Sequence, residues 1–176
     1  MSDSKSLFGT DGGSSGEITL RIDVYQSGTL LRHARRMAEE TEKAETVEVG
    51  SLDATCFATG TFLTAIAAVE GMLSEYAHLY VKALYNDDFL YASIANKYQL
   101  VTGATLAKGA PEVVKLQRAR NALVHSEPEN QRSKNVGLLL NKQGARWAVE
   151  TVDAFARDFW GDRMPPWFRS DSGLTV

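Results

Sequence analysis

The sequence predicts a mainly α protein, an antiparallel four- or five-helix bundle with a small N-terminal β appendage. Three observations predict it. Apolar residues recur at spacings of three and four over most of the chain after residue 27. Alternation at period two is confined to short stretches near the N-terminus. The segments between helices are mostly short, which favours antiparallel neighbours. At 176 residues, 44% hydrophobic and 23% charged, the chain fits one domain with a sizeable core.

Residues 1–16 are rich in Ser and Gly and read as a disordered tail. Residues 17–50 form a strand and helix extension. Within it, Glu17-Ile18-Thr19-Leu20-Arg21-Ile22-Asp23-Val24 alternates as a half-buried strand does, and Thr46-Val47-Glu48-Val49 is a weaker strand able to pair with it. Between them, Ser27 to Lys43 is rich in Leu, Ala, Arg and Glu and predicts a helix, with Ser27 or Thr29 as N-cap.

Residues 51–176 form the bundle. Phe62, Ile66, Val69, Leu73, Tyr76, Tyr80 and Leu84 mark a helix from about Thr61 to Tyr85. Asp53 or Thr61 starts it, depending on whether Gly60 breaks the helix. Asn86-Asp87-Asp88 is a turn, and Phe89 to Leu100 predicts a helix ending near Gly103. Pro111 opens the next helix, which Pro128 prevents from running far past Ser126. Residues 127–142 read as loop, with a short strand at Val136 to Leu140. The last helix spans Gln143 to Phe159, and Gly161 stops it. The tail aromatics Trp167 and Phe168 are expected to dock on the bundle or on a second subunit.

Cys56 is a lone cysteine in an apolar stretch and reads as a small packed hydrophobe. With no apolar leader, no disulfide set and no unbroken run of about 18 apolar residues, a cytoplasmic protein without a membrane span is expected. The three histidines form no metal-ligand cluster: His33 belongs to a solvated helix face, and His78 sits between Tyr76 and Tyr80. No metal or cofactor is expected. The net charge of −3 argues against broad charge-driven binding of nucleic acid. The segment from Lys108 to Arg146 departs from that average. Its eight basic and three acidic residues leave a net +5, against −8 for the rest of the chain. It is either a solvated basic face or a surface for phosphate.

The helix from Pro111 carries the concentrated chemistry. Val113, Leu116 and Leu123 mark its apolar stripe, and Arg120 falls on that stripe. A guanidinium keeps its charge, so a half-buried one needs an anion or a polar cavity. A structural Arg–carboxylate pair is one reading. Asn121 and His125 are four residues apart and lie within about 40° on one helix face, which Gln117 extends. His125 is about 140° around from Arg120, so a fraying turn before Pro128 is needed to bring them together. Glu70, in the apolar run Ala65 to Leu73, is expected either to pair with Arg120 or orient His125, or to reach solvent at the stripe's edge.

Arg120-Asn121-Ala122-Leu123-Val124-His125 resembles the Arg-x4-6-His signature of the HEPN superfamily (higher eukaryotes and prokaryotes nucleotide-binding domain). Asn121 is of the residue type that family places after its arginine, and Glu70 resembles an acidic residue that some members carry on an early helix. The resemblance covers roughly residues 51–160 and leaves the N-terminal extension unexplained. It implies metal-independent RNA cleavage through attack of a ribose 2′-OH, giving a 2′,3′-cyclic phosphate. His125 would move the proton, Arg120 stabilise the charged transition state, and Asn121 orient the histidine or a phosphate oxygen. Glu70 would support them, while Lys115, Gln117 and Arg118 would make weaker RNA contacts. It also implies a homodimer, a partner such as RNA or a nucleotide, and a role as a toxin with an antitoxin or as an antiviral defence effector. Members that have lost activity act as nucleotide-binding, RNA-binding or protein-interaction modules.

Overall fold

The computed structural model describes residues 26–49, 51–124 and 139–174. In chain order the helices are α1 (Ser27–Val47), α2 (Leu52–Tyr80), α3 (Asp87–Leu90), α4 (Ile94–Thr102), α5 (Leu106–Gly109), α6 (Pro111–Val124), α7 (Lys142–Trp160) and α8 (Pro166–Ser172). Turns of 3-10 helix follow α2 at Lys82–Leu84 and α7 at Gly161–Arg163. The protein is all-α among the described residues.

α2 is the helix around which the others pack: α1, α4, α6 and α7 all contact it, and α8 lies against α1. Its inward face is built from Ala54, Ala58, Phe62, Ala65, Val69, Met72 and Leu73. From Phe62 onward these meet Leu31 and Ala34 of α1, Val113 and Leu116 of α6, and Ala148, Val152 and Trp160 of α7 in one core. The alanines let α1 and α2 lie close, and the larger side chains fill the space toward α6 and α7.

Gly60 does not break α2. A Cβ there would come within 2.6 Å of the Met37 sulfur, so the glycine is the notch in which Met37 seats. The helix starts at Ser51, whose hydroxyl accepts from the Ala54 amide at 3.2 Å, with Asp53 in the first turn. It ends at Tyr80, because the backbone tightens into the 3-10 turn before Tyr85. Polar residues interrupt its apolar run. Even so, α2 is long and apolar enough to cross a membrane, with a mean hydropathy of 1.5 over an 18-residue window of which half is buried.

Other expectations are corrected. The strand expected at Thr46 to Val49 is the end of α1 and the turn after it. The Thr46 hydroxyl bonds the Lys43 carbonyl at 2.6 Å, and Val47 and Val49 are each 88% exposed, with no strand beside them among the described residues. The helix expected over Phe89 to Leu100 breaks at Tyr91–Ser93. Asn86 caps the short α3 and Ser93 caps α4 by accepting from Asn96 at 3.3 Å, and two caps so close divide the segment. Cys56 is exposed, on the side of α2 away from Ala54 and Ala58. Phe168 is fully buried against Trp160, with ring centroids 5.8 Å apart, so α8 docks on the bundle. Gly103 and Gly161 end their helices at φ 75° and 48°, values that other residues rarely adopt. The strand expected at 17–24 lies outside the described residues. So does most of that expected at Val136 to Leu140, where Leu139 and Leu140 form the turn into α7.

α1 receives its cap from another helix. Neither Ser27 nor Thr29 is the N-cap; Gln26 holds that position and makes no side-chain cap bond. Instead Glu75 of α2 accepts from the Ser27 amide at 2.9 Å and also from the Ser27 hydroxyl. A carboxylate at a helix N-terminus satisfies free amides and complements the helix dipole. Gly71, one turn back on α2, faces the Ser27 Cβ and allows this approach.

Candidate functional site

α2 and α6 pack together so that Gln117, Arg120 and Asn121 on α6 face Glu70, Ala67 and Leu63 on α2 across a cleft of about 280 Å³. Ala92, Ser93 and Ile94, at the start of α4, close one side. The three α6 residues share a face because they are three and four positions apart. Val113, Leu116 and Ala119 are buried beside them and fix how α6 turns. Arg120 is half-buried between that core and the cleft, and Asn121 is exposed.

The Arg120 Nη1 donates to the Asn121 Oδ1 at 3.0 Å. α6 is regular through Val124, so these two meet on an intact turn; the fraying expected before Pro128 concerns His125 and lies outside the described residues. The guanidinium keeps further N–H donors, and its geometry suits the oxygens of a phosphate group. His125 lies outside the described residues, directly after the last residue of α6.

Glu70 does not pair with Arg120. Its Oε1 accepts from the Lys97 Nζ at 2.7 Å. The Lys97 side chain is 3% exposed and the Glu70 side chain 47%, and the ammonium lies 5.8 Å from the centre of the Phe89 ring. A buried ammonium takes the carboxylate within reach, and that carboxylate is Glu70. Glu70 therefore faces the cleft while anchored from beneath. The alternative that Glu70 orients His125 concerns a residue outside the described set.

Among the weaker candidates, Lys115 pairs with Glu112 at 2.6 Å on the exposed side of α6, and Arg118 is exposed. The hydrogen bond from Lys115 holds the Glu112 carboxyl below its ordinary value. His33 is exposed. The His78 ring packs edge-on against Tyr85 at 4.8 Å. No group of three or more His, Cys, Asp or Glu side chains is arranged to hold a metal among the described residues.

Two buried charges escape a reading by apolar periodicity, although the rule that singled out Arg120 finds both. Lys97 interrupts the apolar face of Ile94, Tyr98 and Val101, and Glu75 interrupts that of Ala68, Met72 and Leu79. Burial pushes the Glu75 carboxyl above its ordinary value, while the bonds from Ser27 pull the other way.

No protein-family model matches the chain, and neither a curated protein nor a solved structure matches it.

Proposed function

We propose that this chain is a metal-independent endoribonuclease of HEPN type, with its helices arranged as that family's antiparallel four- or five-helix bundle. One observation carries the reading: Glu70, Gln117, Arg120 and Asn121 line a single polar cleft on two helices. Glu70 shares this cleft with Arg120 although its ion pair is with Lys97.

In this reading His125 removes the proton from a ribose 2′-OH. The 2′-oxygen attacks the adjacent phosphorus, and the 5′-oxygen leaves as it takes up a proton. The 2′,3′-cyclic phosphate remains on the upstream fragment. Arg120 donates to the phosphoryl oxygens as charge builds on them. Asn121, bonded to Arg120, fixes the guanidinium and orients the phosphate or the histidine. The chain works in the cytoplasm as a homodimer on RNA, as a toxin restrained by an antitoxin or as an antiviral effector.

The acidic overall charge, −3, favours a second reading, a catalytically silent module that binds nucleotide, RNA or protein. Incubation of the purified protein with total cellular RNA in EDTA separates the two. The first reading expects cleavage ending in cyclic phosphate, lost in both His125→Ala and Arg120→Ala. Intact RNA with the wild type, at any protein concentration tried, rejects it.

A further inference from the structure

A second, larger cleft lies between α2, α4, α6 and α7, with a volume of about 500 Å³ and no lining residue in common with the cleft of Glu70 and Arg120. That volume suits a small molecule. Its walls are aromatic. Phe155 and Phe159 stack at 5.2 Å, Tyr76 meets Phe159 at 5.0 Å, and Tyr98 meets Phe155 at 6.2 Å.

The polar groups along it are not evenly arranged. Thr151 and Tyr98 line the cleft and are 7% and 8% exposed. Neither hydroxyl has a hydrogen-bond partner among the described residues. Thr55, Thr59, Thr61 and Thr64, by contrast, each bond a carbonyl one turn back. Both hydroxyl oxygens are open to the cleft, since Trp160 Nε1 is the one side-chain polar atom among the described residues that is both buried and without a partner, so a ligand can bond them without displacing a protein contact.

The charged groups in the lining are carboxylates, Glu112 and Asp158. Lys115 neutralises Glu112 at 2.6 Å. The Arg163 guanidinium donates to the Tyr76 hydroxyl at 2.7 Å and lies over the Tyr80 ring. Asp158 has no ion-pair partner among the described residues. Thr151 and Asp158 are seven residues apart on α7, so they share one face about 10.5 Å apart along the axis, with Ala154 and Phe155 between them.

We propose that this cleft binds a hydroxylated aromatic amine, its ring among Tyr76, Phe155 and Phe159, its hydroxyl on Thr151 and Tyr98, and its ammonium on Asp158. A ring carrying a hydroxyl at one end and a two-carbon amine at the other spans the floor from Thr151 to Asp158. Aromatic walls with a carboxylate at one end select an organic cation over a neutral or anionic molecule of equal size.

Tyramine is the probe, titrated into the whole chain by calorimetry. Phenethylamine lacks its hydroxyl, and 4-hydroxyphenethyl alcohol lacks its charge. One-to-one saturable binding of tyramine is expected, with the alcohol weaker by about tenfold. Asp158→Asn should erase the preference for amine over alcohol. Thr151→Val should erase the preference for tyramine over phenethylamine and leave the amine preference intact. Asp158 is exposed, so its variant is not at risk of misfolding. No saturable binding of tyramine at millimolar concentration overturns the proposal. So does equal affinity for the alcohol, or an amine preference that survives in Asp158→Asn.

Discussion

Lys97 and Glu70 share one ion pair but differ in what each leaves behind when the other is removed. The Lys97 side chain is 3% exposed and that of Glu70 47%. Glu70→Gln keeps the volume and strands an ammonium away from water with only an amide oxygen to accept from it. Breaking a fully buried pair costs about 3–5 kcal/mol. Solvent already screens the carboxylate side, so about 1.5–3 kcal/mol is expected here. In a domain of this size that lowers the melting temperature by about 3–12 °C. Lys97→Met removes the charge that needed a partner, and its unbranched side chain still packs on Phe89. The Glu70 carboxylate left behind rehydrates, so the change should stay within about 1 kcal/mol of wild type. The double variant should match Lys97→Met, because without the ammonium Glu70 has nothing to hold. Urea unfolding at pH 7, followed by helical circular dichroism, reads all three. A neutral Glu70→Gln beside a Lys97→Met that costs more than about 2 kcal/mol would refute the reasoning.

Three further outcomes follow from the packing. The Glu75 carboxyl is raised in the folded state above its ordinary value of 4.5, so the folded protein takes up its proton first as pH falls. Wild type should then gain stability relative to Glu75→Gln on acidification from pH 7 toward 4.5, and a difference in unfolding free energy that does not vary with pH contradicts this. Phe168→Ala should destabilise by about 3–5 kcal/mol, since Phe168 is fully buried and holds α8 on the bundle; a thermal melt checks it. Cys56 is exposed, so a thiol reagent should modify it in the native protein about as fast as in urea, and strong native protection is the contrary result.

The sequence readily discloses what is local. Pro111 opens α6, and Gly161 ends α7 at a positive φ. The spacing from Phe62 to Leu73 follows the face of α2 that meets the core, and Tyr80 at its end is exposed. What escapes a sequence reading depends on partners far along the chain. Gly60 looks like a breaker until Met37 of another helix fills its notch. Ser27 looks like a cap until Glu75, 48 residues away, supplies one. At the candidate site, the local pattern on α6 marks Gln117, Arg120 and Asn121, and the structure sets all three in one cleft with Glu70. The partner of Glu70 is not legible, because Lys97 reaches it only through the break between α3 and α4. The period-two pattern of Thr46 to Val49 misleads for a related reason. Its first two residues finish α1 and the last two form the turn after it, so a period-two pattern only four residues long is overridden by the helix that runs into it.

The central claim is that Arg120 serves the chemistry of the cleft and not the core. It is half-buried, and its bond is to the neutral and exposed Asn121. The direct test compares Arg120→Ala with wild type in two readouts, the single-turnover rate of RNA cleavage in EDTA and the free energy of unfolding. A transition-state donor is worth about 10²–10³ in rate. The account predicts a loss of that size with stability changed by less than about 1 kcal/mol. A stability loss of about 3–5 kcal/mol, as for a broken buried pair, contradicts it, as does a variant that cleaves RNA as fast as wild type.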